Sequence, residues 1–272
     1  MNDLLITATQ KLIDLRNNSE WRNELPQRCP PILWFGDAIS QKPRVVTVGA
    51  NPSRQEYLAE SSKKALARQD EKHQSLYLEV PNNRFYILPP TAELADILSN
   101  TQIQEDILLG YNRYFYHNPY RWFGKNKPMS YNVEGFLHGI DATYFSGYTY
   151  QAVHVDLFPF ATIQDFNRIY TLANRDLFYT GWAKKFLNEL LDILHPEIIL
   201  VFGRANVDHY TNYISSALEK ASWKPHHRAS YRIGQDRVRG VRVIGLSTNL
   251  GNPKGFTAQE LYEFGKAIKS EI

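Results

Sequence analysis

The stretch RVVTVGANPS, Arg44 to Ser53, limits the fold of this chain more than any other. Val45, Val46 and Val48 form a β-branched run without internal charge, and Gly49 and Pro52 close it. Such a run reads as a central parallel strand covered on both faces, because a strand with one wet face would alternate apolar and polar residues. Asn51 then stands at the carboxyl end of the strand, where open α/β sheets place their ligands.

The remaining segments fall into place around that strand. Leu4, Leu5, Ala8, Leu12 and Leu15 recur at helical spacing and predict a first helix over 4–17. Pro26, Pro30 and Pro31 end it and lead into the extended apolar run ILWFGDAI. The polar stretch Arg54 to Gln74 reads as a helix or an excursion over the site, and Thr91 to Leu109 reads as a helix beginning at Thr91-Ala-Glu-Leu. A second strand is expected over Ala152 to Phe160, a long helical region over Thr162 to Leu194, and a strand, glycine turn and helix start over Glu197 to Tyr210. Arg228 to Ile233 and Arg237 to Leu246 read as a hairpin, followed by a C-terminal helix over Thr257 to Ile268 with a Thr257–Glu260 capping box. Strands alternating with helices imply one α/β domain over 1–272, a three-layer α/β/α arrangement around a central, mostly parallel four-stranded sheet.

Composition excludes more than it assigns. A net charge of +3 is too weak to argue for a nucleic-acid partner, so any basic footprint must be local. Cys29 is the only cysteine, which rules out an internal disulfide and a cysteine-rich zinc framework. His226-His227 lacks a carboxylate or cysteine at ligand spacing, and Gly-x-Gly phosphate loops are absent, so neither metal nor cofactor is expected. The N-terminus carries Asp3 and Asp14 where a leader would be basic, and no segment approaches the roughly 20 apolar residues of a membrane span. The expectation is a cytoplasmic monomer.

The aromatic stretch Tyr111 to Asn126, YNRYFYHNPYRWFGKN, interleaves its rings with Arg113, Arg121 and Lys125. Rings and cations in alternation suit a flipped or single-stranded nucleotide, one set for bases and the other for phosphates. The same stretch also reads as an aromatic segment docked on the sheet.

The order of the motifs is more specific than any one of them. GANPS after the first strand resembles the water-positioning motif of the uracil-DNA glycosylase superfamily, in the Gly-x-Asn-Pro form of its mismatch-specific and single-strand-selective branches. VDLFPF resembles the segment that reads the flipped base, VFGRA the following strand and glycine turn, and Leu250 to Phe256 the minor-groove loop that carries an apolar wedge. The resemblance covers roughly residues 32 to 268. It implies hydrolysis of the N-glycosidic bond of a base in DNA. Asn51 would position water, with Thr248 and Asn249 as the remaining donors of the last loop. Ala50, Pro52, Ser53 and Asp156 would contact the base, and Phe85 or Tyr86 would stack on it. Leu250 would be the wedge, with Lys254, Arg121 and Lys125 near the DNA backbone.

Two departures narrow that expectation. Relatives commonly carry asparagine where this chain has Asp156, and an ionised aspartate only accepts hydrogen bonds. It would oppose the carbonyl edge of uracil and favour an exocyclic amine. Relatives also carry His-Pro-Ser in the last loop, whereas Gly245-Leu246-Ser247-Thr248-Asn249 has no histidine to stabilise the departing base. The expected activity is therefore excision of a damaged or modified base other than plain uracil. The alternatives are a silent nucleic-acid-binding module and an enzyme on free nucleosides or nucleotides.

Overall fold

The computed structural model describes residues 1–39, 43–53, 56–57, 84–116, 119–127, 129–145, 147–164 and 166–272. Strand β1, Val45–Gly49, is buried at every position, as its β-branched run requires of a strand covered on both faces. It pairs in parallel with β3, Tyr150–Asp156, on one side and with β4, Ile198–Phe202, on the other. The registers set Gly49 beside Asp156 and Thr47 beside His154. Strand β7, Val241–Leu246, continues the parallel block beyond β4.

Among the described residues the sheet has seven strands in the order β2-β3-β1-β4-β7-β6-β5, which corrects the expected four. Strand β6, Ala229–Asp236, is the antiparallel partner of β7, so the hairpin lies within the sheet. Strands β2, Ala142–Thr143, and β5, Lys224–His226, lie at the two edges. At two and three residues, these are too short for a period-two pattern to register in the sequence.

Among the described residues there are eight α-helices. Helix α1, Asn2–Asn17, buries Leu4, Leu5, Ala8, Leu12 and Leu15, the apolar set that predicted it. Helix α2, Ser19–Arg22, follows directly. The helix expected to begin at Thr91 instead begins later: Glu93 caps a 3-10 turn over Leu94–Leu98, and the Asn100 side chain caps α3, Thr101–Arg113. Helix α4 is Val133–Gly139. The long helical region is divided into α5, Phe166–Ala173, a π turn over Asn174–Phe178, and α6, Trp182–Leu194. The break falls at Gly181, whose φ of +76° suits a residue without a Cβ. Helix α7, Arg204–His209, follows the glycine turn at Gly203, and α8, Ala258–Lys269, starts from the expected Thr257–Glu260 capping box. The stretch Arg54 to Gln74 lies outside the described residues except for Glu56 and Tyr57.

One contiguous core runs from Leu4 to Ile268. Its centre, under the carboxyl end of β3, is aromatic. Phe35, Phe85, Tyr114, Phe115, Phe123 and Tyr144 meet there in stacked and edge-on pairs. Phe35 joins the sheet through a single antiparallel bridge to His154, so the apolar run ILWFGDAI is tied at its middle to the strand that carries Asp156. No helix of the described residues is long and apolar enough to cross a membrane.

Candidate functional site

A cavity of about 150 Å³ lies at the carboxyl ends of β1, β3 and β4. Gly49, Ala50, Asn51, Pro52 and Ser53 form one side, Asp156 the floor, and Phe202 with Asn206 the opposite side. Asn249, in the loop after β7, reaches its rim. The remaining wall is aromatic: Phe35, Tyr120, Trp122 and Phe123.

Gly49 makes the floor possible. A Cβ there would stand 2.5 Å from Asp156 Oδ1 and 3.0 Å from the His154 ring, so only glycine lets both side chains lie across the strand end. Asp156 is 4 % exposed, and its Oδ1 is 3.3 Å from His154 Nε2. The imidazole Nδ1 meets Thr47 Oγ1 at 2.8 Å, and that hydroxyl meets Tyr144. A carboxylate beside Nε2 favours a hydrogen on that nitrogen, and the Thr47 hydroxyl has the Val153 carbonyl, at 3.3 Å, as well as Nδ1 within reach of its single hydrogen. Phe35, Phe123 and Trp122 surround the ring with centroids 5.1 to 5.3 Å away.

The Asn51 amide has a defined orientation. Thr162 Oγ1 donates its hydrogen to the Gln164 carbonyl at 2.6 Å, so towards Asn51 it can only accept. Asn51 therefore presents Nδ2 to Thr162 at 3.0 Å and to the Pro52 carbonyl at 3.0 Å. Its Oδ1 takes no hydrogen bond from the described residues and is left as the acceptor at the cavity. The exposed Asn249 accepts the Gly251 N–H on Oδ1 at 3.0 Å, which directs its amide nitrogen elsewhere.

The structure thus brings Ala50, Asn51, Pro52, Ser53, Asp156 and Asn249 together, and it places the other predicted residues outside the cavity. Phe85 is 5 % exposed and stacked on Tyr114 at 4.9 Å within the core, while Tyr86 packs against the core edge. Phe85 is committed to the aromatic cluster on Phe35, and neither residue lines this cavity. Thr248 offers its backbone carbonyl to Gly203. Leu250 is fully buried and is not a protruding wedge, because the loop folds back through Asn252 N–H to Asn249 and Tyr131 hydroxyl to Pro253. Lys254, Arg121 and Lys125 are exposed on the two loops that meet where the Trp122 indole lies against Gly251.

Tyr120, Trp122 and Glu56 line the cavity although the sequence did not single them out individually as site residues. Tyr120 and Trp122, half-buried, stand on the cavity wall, whereas the resemblance implied Phe85 or Tyr86 as the stacking ring; the aromatic, basic stretch was their signal. Glu56 is the third. It is 3 % exposed, its Oε2 accepts the Tyr114 hydroxyl at 2.7 Å, and Arg84 Nη1 lies 3.9 Å away. Burial pushes its carboxyl up to about 7, against the lowering effects of the Tyr114 hydrogen bond and the Arg84 charge, with Asp156 adding to the rise. Nothing in a polar, sequence-local reading marks Glu56, since its partners lie 28 and 58 residues away.

Compared with known proteins, the chain matches no protein-family model and no curated sequence.

Proposed function

We propose that this protein hydrolyses the N-glycosidic bond of a modified, amine-bearing pyrimidine in DNA, with the base held in the cavity over β1 and β3. The observation that carries the reading is the Asp156 carboxylate on the floor of a ring-sized, aromatic-walled cavity, with the Asn51 Oδ1, which takes no hydrogen bond from the described residues, beside it. Apolar cavities near 150 Å³ accommodate about one six-membered ring, which favours pyrimidine over purine. Trp122 and Tyr120 supply π faces, and Asp156 accepts from an exocyclic amine while opposing a carbonyl.

Asn51 acts by orientation, because an amide is not a useful base. Its Oδ1 accepts from a water aimed at C1′, and the departing base does most of the bond breaking through an oxocarbenium-like state. Net, one water is consumed: hydroxyl to C1′, proton to the base. The motif order Gly49 to Ser53, Asp156, Gly203 and Ser247 to Phe256 supports the uracil-DNA glycosylase-like assignment.

The test is single-turnover excision on duplex and single-stranded DNA carrying a panel of modified bases. Abasic sites formed by wild type, lost in Asn51→Ala and shifted toward uracil in Asp156→Asn, support the reading. Faster excision of uracil than of any amine-bearing base by wild type would sink it. Binding of the panel without any excision favours a silent nucleic-acid-binding module, the second reading, which the histidine-free Ser247–Asn249 segment supports.

A further inference from the structure

The proposed reaction leaves one task without a residue. An amine-bearing base leaves poorly as an anion, and the last loop offers no histidine to meet it. A second carboxyl group lines the cavity, and nothing in the water-holding or base-reading roles uses it: Glu56.

We propose that Glu56 is the general acid of this site, delivering a proton to the departing base as the C1′–N bond breaks. This inference rests on the N-glycosidic reading of the cavity. Tyr114 fixes which oxygen carries the proton. Its hydroxyl accepts the Tyr120 backbone N–H at 3.0 Å, and so it spends its own hydrogen on Glu56 Oε2 at 2.7 Å. Arg84 lies on that same oxygen, 3.9 Å away. Oε1 has no partner among the described residues and is where an acid proton resides. Asp156 and His154 face the cavity from β3 and hold its charge side, while Tyr114, Arg84 and the neighbouring Tyr57 surround Glu56 from the loops. Two carboxyl groups in one cavity thereby divide the work by environment: Asp156 paired with an imidazole as the acceptor, Glu56 desolvated as the donor.

The step balances without any further reagent. The electron pair of the C1′–N bond goes to the base nitrogen, the Glu56 proton goes to the base, and water adds its oxygen to C1′. The proton released by that water returns, through solvent, to the Glu56 carboxylate.

The experiment measures single-turnover excision from an amine-bearing substrate across pH 5 to 9. For wild type, the rate is expected to fall about tenfold per pH unit above about 7. Glu56→Gln is expected to lose about 10²- to 10⁴-fold at pH 6 and to lose the falling limb as well, with its thermal midpoint measured alongside. Tyr114→Phe removes a hydrogen bond that favours the carboxylate, so its limb moves to higher pH while the acid remains. A base substituted to depart readily as an anion, such as a 5-halogenated pyrimidine, is expected to lose much less in Glu56→Gln. A rate that rises with pH through this range, or a folded Glu56→Gln with the wild-type profile, overturns the proposal while leaving excision intact. A wild type that excises no base overturns this inference and the function it rests on together.

Discussion

At the scale of single residues, Gly49 shows what a motif letter can conceal. Its backbone is not among the positive-φ glycines, so turn freedom does not explain it. The explanation is contact: a methyl at that position would stand 2.5 Å from Asp156 Oδ1. Gly49→Ala is expected to destabilise the protein by about 1–3 kcal/mol, as overpacking does, or to move the Asp156 carboxylate off the cavity floor. Urea unfolding reads the first effect, and base preference in the proposed excision reads the second. A variant unchanged in both would remove the glycine from the argument. Gly49 to Ser53 and Asp156 were legible in the sequence because each ends an apolar run whose direction along the sheet is set by its type. Tyr120 and Trp122 were legible only as members of an aromatic, basic stretch and Glu56 was not legible at all, because the packing of distant loops turns them toward the cavity. Phe85 illustrates the converse. Its position after the Asn51 motif suggested a stacking ring, yet edge-on contacts with Phe35 and stacking on Tyr114 absorb it into the core.

At the scale of elements, local chemistry decided boundaries wherever it was complete. Thr257 and Glu260 exchange both capping bonds at the start of α8, Oγ1 accepting from Glu260 N–H at 3.2 Å and Oε2 from Thr257 N–H at 2.7 Å. Thr91 has no acidic residue three positions on, and the helix assigned to it starts from the Asn100 cap instead. Thr257→Ala is accordingly expected to cost about 1 kcal/mol. That lowers the melting temperature by about 2–4 °C for a chain of this size, checked by calorimetry. The effect should reach beyond α8, because that helix packs backbone to backbone on α4: a Cβ at Gly139 would lie 2.2 Å from the Tyr262 carbonyl and 2.7 Å from Gly265 Cα. The sheet was legible where strands are long and β-branched. It was not legible at β2 and β5, whose pairing is made by neighbours rather than by their own pattern.

At the scale of the whole molecule, Glu56 ties folding to pH. An exposed glutamate in the unfolded chain titrates near 4.5, whereas the folded carboxyl is held at about 7 by burial. Between these values the native state binds a proton that the unfolded chain has released, so stability falls as pH rises. The contribution is full below about 4.5 and spent above about 7, and its upper bound is about 3 kcal/mol. His226 acts in the opposite direction. Burial lowers its proton affinity, so its contribution to stability grows as pH rises through the usual histidine range. Comparing variants removes that term, since both retain the histidine. Glu56→Gln keeps an oxygen to accept from Tyr114 but has no charge to bury. The difference in unfolding free energy between pH 5 and pH 8 should therefore shrink in Glu56→Gln by up to about 3 kcal/mol relative to wild type, read from urea titrations at both values. An equal difference in the two proteins would mean that the carboxyl titrates alike folded and unfolded. That result would also remove the proton reservoir on which the acid role depends.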